Sequence, residues 1–481
     1  MEWKVAVYIF VFFSYVLAFF AIIQCLLKTK YPQAALAWCG VILMLPFIGA
    51  ILFFIFGVNR IDSKASKLFL DVANARLKHL ESLRQKHWSH TPTTHNRQDF
   101  PIMNIGERRQ GLACVGGNSI VPLFNGDEAY PKMLEAIQNA TNHVFVSTYI
   151  YGGKKMGAAF TDALIEAYKR GVDVRVIVDG VGSFFSFRKW KRKLEKAGVS
   201  VFLFIPPRLF PLQIAINLRN HRKLLVCDDI AFTGGMNISD GNLVLKKQRS
   251  PVQDVHFCCK GPIISALREA FLLDYAFVTK QEQLMTYDEP QSQGNMDARM
   301  IMDGPGTDDD PILNTLCGVF SSAKKEILII NPYFLPTREI IISLISAVSR
   351  GVRVRVILPA KLDHVYVGWA ADHIIPTMLN EGIEFLKQPA PFAHTKLVLI
   401  DEIYSFLGST NFDPRSLKLN FELNLEVFSE EFNAKLVNYA KEIMSKSIEV
   451  KQFQYLVEHN SFLGFLKRLR NASAWIFSPY L

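Results

Sequence analysis

Two copies of one short pattern contain the residues of this chain that are best suited to catalysis. Each copy has a histidine, a lysine two residues later and an aspartate five residues after the lysine. The six residues are His221, Lys223 and Asp228 in the first copy and His394, Lys396 and Asp401 in the second. At background residue frequencies, two such copies arise by chance in well under about 1% of chains of this length. The repeat therefore requires an explanation.

The chemistry of the pattern suits a phosphate group. Each copy leads into an apolar run, Leu224 to Cys227 and Leu397 to Ile400, which predicts a short buried strand. Residues two apart on a strand share a face, so the imidazole and the ammonium are expected to point together. The lysine would neutralise phosphate oxygens, and the imidazole would attack or transfer a proton. Lysine is a poor metal ligand and the spacing is not a zinc pattern, so we expect neither a metal nor a cofactor.

The acidic residues of the motif and those downstream are expected to differ in role. Asp228 and Asp401 belong to the candidate catalytic motif, but they fall at the predicted strand end with opposite parity, which favours bracing of the turn. Five downstream side chains are candidates for binding the phosphate or supporting the site: Asn237, Asp254, Ser409, Asn411 and Glu422. The asparagines would donate hydrogen bonds to phosphate oxygens. Each of the two acids would orient an imidazole, or else is an ordinary solvated strand carboxylate.

The repeat extends beyond the motif to the predicted fold. The segment from Gly171 to Val178 matches that from Gly351 to Leu358, and a helical segment precedes each. Each half is predicted to run strand, helix, strand, helix, strand and motif strand, which indicates an α/β fold with a mixed sheet flanked by helices. Two such halves, related by a pseudo-twofold axis, would bring both His-Lys pairs to one cleft. One histidine would then attack while the other protonates the leaving oxygen.

Two apolar segments at the N-terminus indicate a membrane protein. Val5 to Leu27 and Ala34 to Val58 contain no charged residue, and either is long enough to cross a hydrocarbon core of about 30 Å. They predict a transmembrane hairpin over residues 1–60. A signal peptide is the alternative for the first segment, but its apolar core is too long and a second segment follows directly. The flanking lysines and arginines favour a cytoplasmic catalytic part.

The remaining residues, about 430, are too many for one core and suit two fused domains. We expect an amphipathic helix and linker over 61–109, a first domain over 110–285 and a second over 286–481. Two segments could touch a bilayer or pack in a core: the apolar stretch from Phe204 to Leu218, and the stretch from Phe462 to Phe477, which resembles an interfacial helix.

Net charge and cysteine content limit the classes of partner that this protein is expected to bind. The net charge of +10 suits either nucleic acid or anionic lipid. The hairpin favours anionic membrane lipid, and no nucleic-acid partner is expected. The seven cysteines include no close-spaced metal pattern and are expected to be reduced. The oligomeric state is left open.

Several runs of residues together resemble the phospholipase D superfamily, and within it the bacterial cardiolipin synthases, over nearly the whole chain. The runs are Asn217 to Lys223, His394 to Asp401, Gly408 to Ser416, and Asn420 to Asn424. The resemblance implies an enzyme of the bacterial plasma membrane that joins two phosphatidylglycerol molecules into cardiolipin and glycerol. It also implies a phosphatidyl-histidine intermediate, with His221 favoured as the nucleophile.

Other functions use the same motif. With water as the acceptor the enzyme would be a phospholipase D, and with serine and a nucleotide-activated lipid it would be a phosphatidylserine synthase. A phosphodiesterase nuclease is disfavoured by the hairpin. A non-catalytic membrane lipid-binding scaffold is disfavoured because both motifs are intact.

Overall fold

The computed structural model describes residues 2–28, 32–54, 102–103, 105, 114–206, 218–245, 250–281, 287–304, 310–451 and 462–476. The chain divides into two compact units, Met1–Lys67 and Leu68–Leu481. Three predictions lie wholly or largely outside the described residues. They concern the amphipathic helix and linker at 61–109, the apolar stretch between Phe204 and Leu218, and the junction of the two domains near residue 285.

The N-terminal unit contains one helix that is long and apolar enough to cross a membrane. This helix, α1 (Glu2–Lys28), includes an apolar stretch from Trp3 to Leu27. Two shorter helices follow, α2 (Pro32–Met44) and α3 (Pro46–Leu52). The predicted two-helix hairpin is thus found only for its first helix.

The second apolar segment bends where a proline follows Leu45. Proline disfavours the helical conformation of the residue before it, and Leu45 has φ −131° and ψ 74°. Helix α3 therefore turns back towards α2, so closely that a Cβ atom on Gly49 would lie 2.5 Å from the Val41 carbonyl oxygen. The 13 residues of α2 measure only about 20 Å, less than the hydrocarbon core of about 30 Å. The described residues therefore show no second continuous span, and the multi-pass arrangement stays a prediction.

The second unit consists of two halves with the same order of elements. The first half contains the strands β1 (Val115–Phe124), β2 (His143–Thr148), β3 (Asp173–Asp179), β4 (Ser200–Phe204), β5 (Leu224–Cys227), β6 (Ile230–Gly234), β7 (Val252–Gln253) and β8 (Val255–Lys260). Its helices are α4 (Asn125–Asn139), α5 (Met156–Lys169), α6 (Arg188–Lys196) and α7 (Ile263–Thr279).

The second half contains the strands β9 (Met296–Asp303), β10 (Glu326–Ile330), β11 (Arg353–Pro359), β12 (Glu384–Gln388), β13 (Phe392–Ala393), β14 (Leu397–Ile400), β15 (Tyr404–Gly408), β16 (Glu422–Phe428) and β17 (Ile448–Glu449). Its helices are α8 (Pro311–Ser322), α9 (Arg338–Ser349), α10 (Val365–Asn380), α11 (Pro414–Lys418), α12 (Glu430–Lys446) and α13 (Phe462–Ile476).

One mixed sheet runs through both halves. Its strand order is β17-β12-β11-β10-β14-β15-β16-β9-β1-β8-β6-β5-β2-β3-β4. Strands β1 and β9 pair antiparallel at the centre, and outward from them each half repeats the same order of equivalent strands. Each half contains three neighbouring parallel strands, β2-β3-β4 and β10-β11-β12, and in the second half β17 pairs antiparallel with β12 at the edge. The predicted fold class of two similar mixed α/β halves is confirmed.

The two halves share one apolar core. Phe257 and Phe271 of the first half are buried in the same cluster as Leu425 and Phe432 of the second. The rings of Phe257 and Phe432 lie 6.1 Å apart. Because burial of apolar surface is the main driving force of folding, this shared core holds the halves in one fixed relation.

A buried arginine near the first motif pairs with an acid of its own half and also contacts the second half. Arg222 donates to the Asp274 carboxylate on α7 over 2.5 Å, and both side chains are buried. The same guanidinium donates to the backbone oxygens of Asp303 and Glu422 in the second half, each over 3.1 Å. The Asn220 amide also donates to Asp274, over 3.1 Å. His221 lies between Asn220 and Arg222, so these contacts hold its backbone in place.

We predict that Asp274→Ala lowers the free energy of unfolding by roughly 3–5 kcal/mol, because it leaves the buried Arg222 without its counter-charge. Chemical denaturation of the full chain in detergent measures the change. The control is Lys325→Ala, which removes an ion pair with Glu402 in which both side chains are exposed and which should cost little. Equal losses for the two variants would contradict the prediction.

Candidate active site

Backbone contacts between the halves position the first histidine. The segment before β5 runs beside the segment before β16, with a parallel bridge between Asn220 and Phe421. The His221 amide donates to the Phe421 carbonyl over 2.9 Å. This pairing brings Glu422, the next residue, beside the imidazole. The distance from His221 Nδ1 to Glu422 Oε1 is 3.0 Å.

A matching contact positions the second histidine. Strands β7 and β13 pair in parallel, and the His394 amide donates to the Gln253 carbonyl over 2.8 Å. Asp254 follows Gln253, and its Oδ2 lies 2.8 Å from His394 Nδ1. Each acid thus accepts a hydrogen bond from the histidine of the other half. Each histidine and its acid form a dyad. When Nδ1–H donates to a carboxylate, Nε2 keeps a lone pair for attack or proton transfer.

The histidines and lysines lie just ahead of the motif strands rather than within them. Strands β5 and β14 begin at Leu224 and Leu397, directly after the lysines. The backbone ahead of them makes the contacts between halves described above, which is why it does not continue the main sheet. Each lysine Nζ donates to the carbonyl oxygen of its own motif histidine over 2.6 Å: Lys223 to His221 and Lys396 to His394.

Burial and mutual repulsion set the charges in the site. Burial lowers the pKa of His221 to about 4, against the opposing influence of Glu422. Burial also lowers the pKa of Lys223 to about 7, and Lys396 contributes to that lowering. The pKa of Lys396 falls to about 8, again chiefly through burial. A buried anion between these ammonium groups would stabilise their charged forms, so the site is electrostatically suited to a phosphate.

The two His-Lys pairs belong to one electrostatic site. Burial lowers the pKa of His394, with Lys396 and Lys223 adding to the effect. Lys396 in turn contributes to the lowered pKa of His221. Burial alone would raise the pKa of Glu422, but His221 and Lys223 lower it. Both imidazoles therefore sense the lysines of both motifs.

The motif aspartates lie at the opposite end of the motif strands. Both have positive φ, 49° at Asp228 and 53° at Asp401, in the turns after β5 and β14. Asp228 accepts hydrogen bonds from the backbone amides of Thr141, Asn142 and His143. Asp401 accepts in the same way from the amides of residues 324, 325 and 326. These contacts brace the start of β2 and β10 and are consistent with the turn-bracing role that the sequence favours.

Ser409 acts on an acid rather than on the cleft. Its hydroxyl donates to the Glu422 carboxylate, and the Asn420 amide donates to the same carboxylate over 3.3 Å. The matching position in the first half is Gly235, where a Cβ atom would lie 2.4 Å from Asp254 Oδ2. The two dyads therefore differ in how their carboxylates are supported.

The two asparagines differ from one another. Asn237 Oδ1 accepts from the Ile150 amide over 3.0 Å and so connects the segments after β2 and β6. Asn411 is buried, and its Oδ1 has no hydrogen-bond partner among the residues that the structure describes. Of the pair, Asn411 is the one with an unpartnered side-chain oxygen among the described residues, and this acceptor suits a hydroxyl of a ligand rather than a phosphate oxygen.

The sequence assigned no role to two tyrosines beside the imidazoles or to two arginines that act on one of these tyrosines. The Tyr149 ring lies 5.1 Å from that of His221, and the Tyr333 ring 6.3 Å from that of His394. Burial raises the pKa of Tyr149, whereas Arg219 and Arg415 oppose the rise, so both guanidiniums act on this tyrosine. The signal was present in the repeat, since each tyrosine ends the same strand segment in its half.

The fold and the two His-Lys pairs define a phospholipase D-like protein. The solved structure of phosphatidylserine synthase from Haemophilus influenzae superposes with a TM-score of 0.62 at 14% sequence identity. The match covers 80% of this chain and 100% of the other. At that identity the likeness concerns the fold alone.

Sequence comparison makes the assignment narrower. The family described as "Cardiolipin synthase, PLD-like domain" matches residues 133–250 and 316–444, and the family "Phospholipase_D-nuclease N-terminal" matches residues 16–57. Cardiolipin synthase 1 of Bacillus cereus is 30% identical over 95% of this chain and 90% of its own length. The major cardiolipin synthase ClsA of Bacillus subtilis is 29% identical over 91% and 92%. The chain belongs to the cardiolipin synthase family, and with its apolar helix α1 it is membrane-associated.

The depressed lysine pKa values predict pH-dependent anion binding. Sulfate stays doubly charged near neutral pH, so its affinity for the site should fall about tenfold or more between pH 6 and pH 9, as Lys223 and Lys396 lose their protons. Titration calorimetry measures this. Lys223→Arg keeps its charge throughout and should weaken the dependence near pH 7. Affinity that is constant with pH in the unmodified chain would contradict the prediction.

The dyads between the halves predict that each acid is needed by the opposite motif. Glu422→Gln and Asp254→Asn should each lower kcat by roughly 100- to 10,000-fold, because an amide cannot stabilise an imidazolium. Steady-state kinetics on a phospholipid substrate measure the change. Glu402→Gln, the same exchange at an exposed turn, serves as control and should leave kcat unchanged. Full activity of both dyad variants would rule out their role.

Proposed function

We propose that this chain is a phosphatidyltransferase that converts two phosphatidylglycerol molecules into cardiolipin and glycerol. The observation that carries the proposal is the pair of imidazoles, each held at Nδ1 by a carboxylate of the other half, with two buried lysines beside them. Such a site has a nucleophile, a proton donor and fixed positive charge for one phosphodiester.

In the first step, His221 Nε2 attacks the phosphorus of the donor lipid. The bond from phosphorus to the glycerol oxygen breaks, and protonated His394 gives its proton to that oxygen. Glycerol leaves, and the phosphatidyl group remains bound to His221. The low pKa of His221, about 4, supports its choice as nucleophile because the imidazole is neutral at physiological pH.

In the second step, a hydroxyl of the second phosphatidylglycerol attacks the same phosphorus. His394, now neutral, takes the hydroxyl proton, and the bond from phosphorus to His221 breaks to release cardiolipin. Lys223 and Lys396 would balance the charge on the phosphate oxygens in both steps. The Asn411 amide would contact substrate, while Asn237 would hold the loop beneath it.

The acceptor carries its own phosphate. The positive charge of Arg219 and Arg415 beside Tyr149 suits this second anion and adds to the preference for an anionic lipid over water. The water-accepting phospholipase D remains the second candidate, since it would use the same first step.

We also infer the placement of the chain. With α1 as the span found among the described residues, only Lys4 precedes its apolar core, whereas Lys28, Lys30, Arg60, Lys64 and Lys67 follow it in the sequence, and this excess favours a cytoplasmic catalytic unit. Helix α13 exposes Phe462, Leu463 and Leu466 and carries Lys467, Arg468 and Arg470, a combination that suits an interfacial helix of the second domain. The proposed domain limits stay at 110–285 and 286–481.

We predict that the purified chain, incubated with phosphatidylglycerol vesicles, produces cardiolipin and free glycerol in equal amounts. Thin-layer chromatography and a glycerol assay measure both products. Phosphatidic acid as the sole lipid product would instead indicate hydrolysis, and no turnover would favour a non-catalytic lipid-binding role.

The same assay identifies the nucleophile. His394→Ala should retain a lipid adduct on His221 that is detected by mass spectrometry of the intact chain, whereas His221→Ala should form none. The reverse pattern would exchange the two roles, and an active double variant would refute the scheme.

A further inference from the structure

Exposed aromatic side chains lie on a loop beside the candidate active site. The first rim loop, residues 180–187, connects β3 to α6. It carries Phe184 and Phe185, of which Phe185 is 84% exposed. Aromatic side chains usually bury most of their surface, so an adjacent exposed pair indicates a surface that is covered by something else.

Hydrogen bonds and packing fix this loop to the site. The Asp179 carboxylate accepts from the Gly182 amide over 2.7 Å and from the Asn220 amide over 2.8 Å. Asn220 directly precedes His221. Gly182 lies so close to Tyr149 that a Cβ atom would be 2.5 Å from its ring, and Ser183 Oγ donates to the Tyr149 carbonyl over 2.8 Å. The exposed phenylalanines therefore sit on the wall that carries Tyr149 and His221.

The second half presents a similar surface at the equivalent position. The second rim segment, residues 360–366, follows β11, the counterpart of β3, and consists of a loop and the first two residues of α10. It carries Val365, which is 56% exposed, and Tyr366, which is 40% exposed. The Tyr333 hydroxyl donates to Asp363 in this loop over 2.6 Å, and Tyr333 is the ring beside His394. Each imidazole thus has, beside its tyrosine, a segment that exposes apolar side chains.

The helix after the first rim loop is strongly basic. Helix α6 has the sequence RKWKRKLEK, in which six residues are basic and one is acidic. Its apolar residues Trp190 and Leu194 are buried, so the cationic side chains lie on the outer faces. The Arg188 guanidinium lies 4.7 Å from the centre of the Phe184 ring. Exposed apolar groups and cations therefore form one continuous surface.

We propose that Phe184, Phe185 and the basic face of α6 form a docking surface for an anionic lipid bilayer, with Val365 and Tyr366 as a second contact. The phenylalanine rings enter the interfacial layer, and the cations bind lipid phosphates. This surface would bring the active-site cleft to the depth of the phospholipid phosphates. The inference rests on the proposed function only in taking a membrane phospholipid as substrate.

A bilayer fits this surface better than a folded partner does. The charge on α6 complements anionic headgroups, and α1 keeps the chain at a membrane in any case. The second rim segment also exposes apolar side chains, although the helix that continues from it, α10, lacks the basic sequence. Exposed apolar side chains are thus present in both halves, whereas the basic helix is present only in the first.

Depth of insertion is tested on the full chain reconstituted into vesicles, without reference to turnover. Phe185→Trp adds an indole at the first rim loop, and its emission is taken as the difference from the unmodified chain. We expect brominated phosphatidylglycerol to quench at least half of this added emission. The matched control, Ile448→Trp, lies at an exposed position on the sheet edge and should be quenched far less. Equal quenching at both positions, or none at Phe185→Trp, overturns the proposal and would leave a protein partner as the occupant.

Charge is tested in the same system. Lys189→Glu with Arg192→Glu, introduced into the Phe185→Trp chain, should reduce quenching in phosphatidylglycerol vesicles by about half or more. In vesicles of neutral phosphatidylcholine the two chains should not differ. An unchanged signal in anionic vesicles would contradict the role of α6.

Turnover provides the third arm. Phe184→Ser with Phe185→Ser should lower turnover of vesicle phosphatidylglycerol about tenfold and leave turnover of monomeric short-chain phosphatidylglycerol unchanged. Ile448→Ser should change neither. Equal loss on both substrates would show that the phenylalanines act on the cleft itself and would overturn the docking role. If the unmodified chain makes no cardiolipin, the proposed function fails while the quenching experiments still decide the docking surface.

Discussion

The contact on which the site depends is the pairing of backbone between the two halves at residues 220–221 with 421, and 252–253 with 392–394. In each pairing, a histidine amide donates to a carbonyl of the other half. The next residue after that carbonyl is an acid, Glu422 in one case and Asp254 in the other. Because backbone pairing fixes register, it also fixes which carboxylate meets which imidazole. Neither half contains a complete dyad of its own.

This arrangement explains why the halves form one rigid unit. The β1–β9 pairing at the centre of the sheet, the shared apolar core and the hydrogen bonds from Arg222 to the backbone oxygens of Asp303 and Glu422 all connect them. A displacement between halves of about 1 Å would lengthen both His–carboxylate hydrogen bonds beyond useful geometry. These contacts keep the two halves in register, whereas the motif aspartates brace strands within their own halves.

The same burial that orders the site sets its electrostatics. Two lysines and two histidines in a desolvated space have lowered pKa values, and His221, whose pKa is about 4, is consequently neutral at physiological pH. An arriving phosphate supplies the missing negative charge. The basic helix α6 and the exposed phenylalanines beside it extend this preference for anionic lipid from the buried site to the surface.

The amino-acid sequence by itself determined the local chemistry and the repeated architecture. The spacing of His221, Lys223 and Asp228, repeated at His394, identified the residues of the site, and the apolar runs predicted β5 and β14 because burial on both faces of a sheet requires such runs. It also identified α1 through its length. It did not reveal the bend at Leu45, since hydropathy averages over a segment while the proline acts at one residue.

Only the tertiary structure decided which residues meet. Asp254 and Glu422 were candidates for orienting an imidazole, but their histidines lie 140 and 201 positions away along the chain, and no periodicity records such a contact. Ser409 was a candidate for the site and instead supports Glu422, whereas Tyr149 and Tyr333 stand beside the imidazoles without a prior role. The pairing of distant segments depends on how the two complete halves pack. The contacts between each histidine and its acid are therefore visible only in the folded structure.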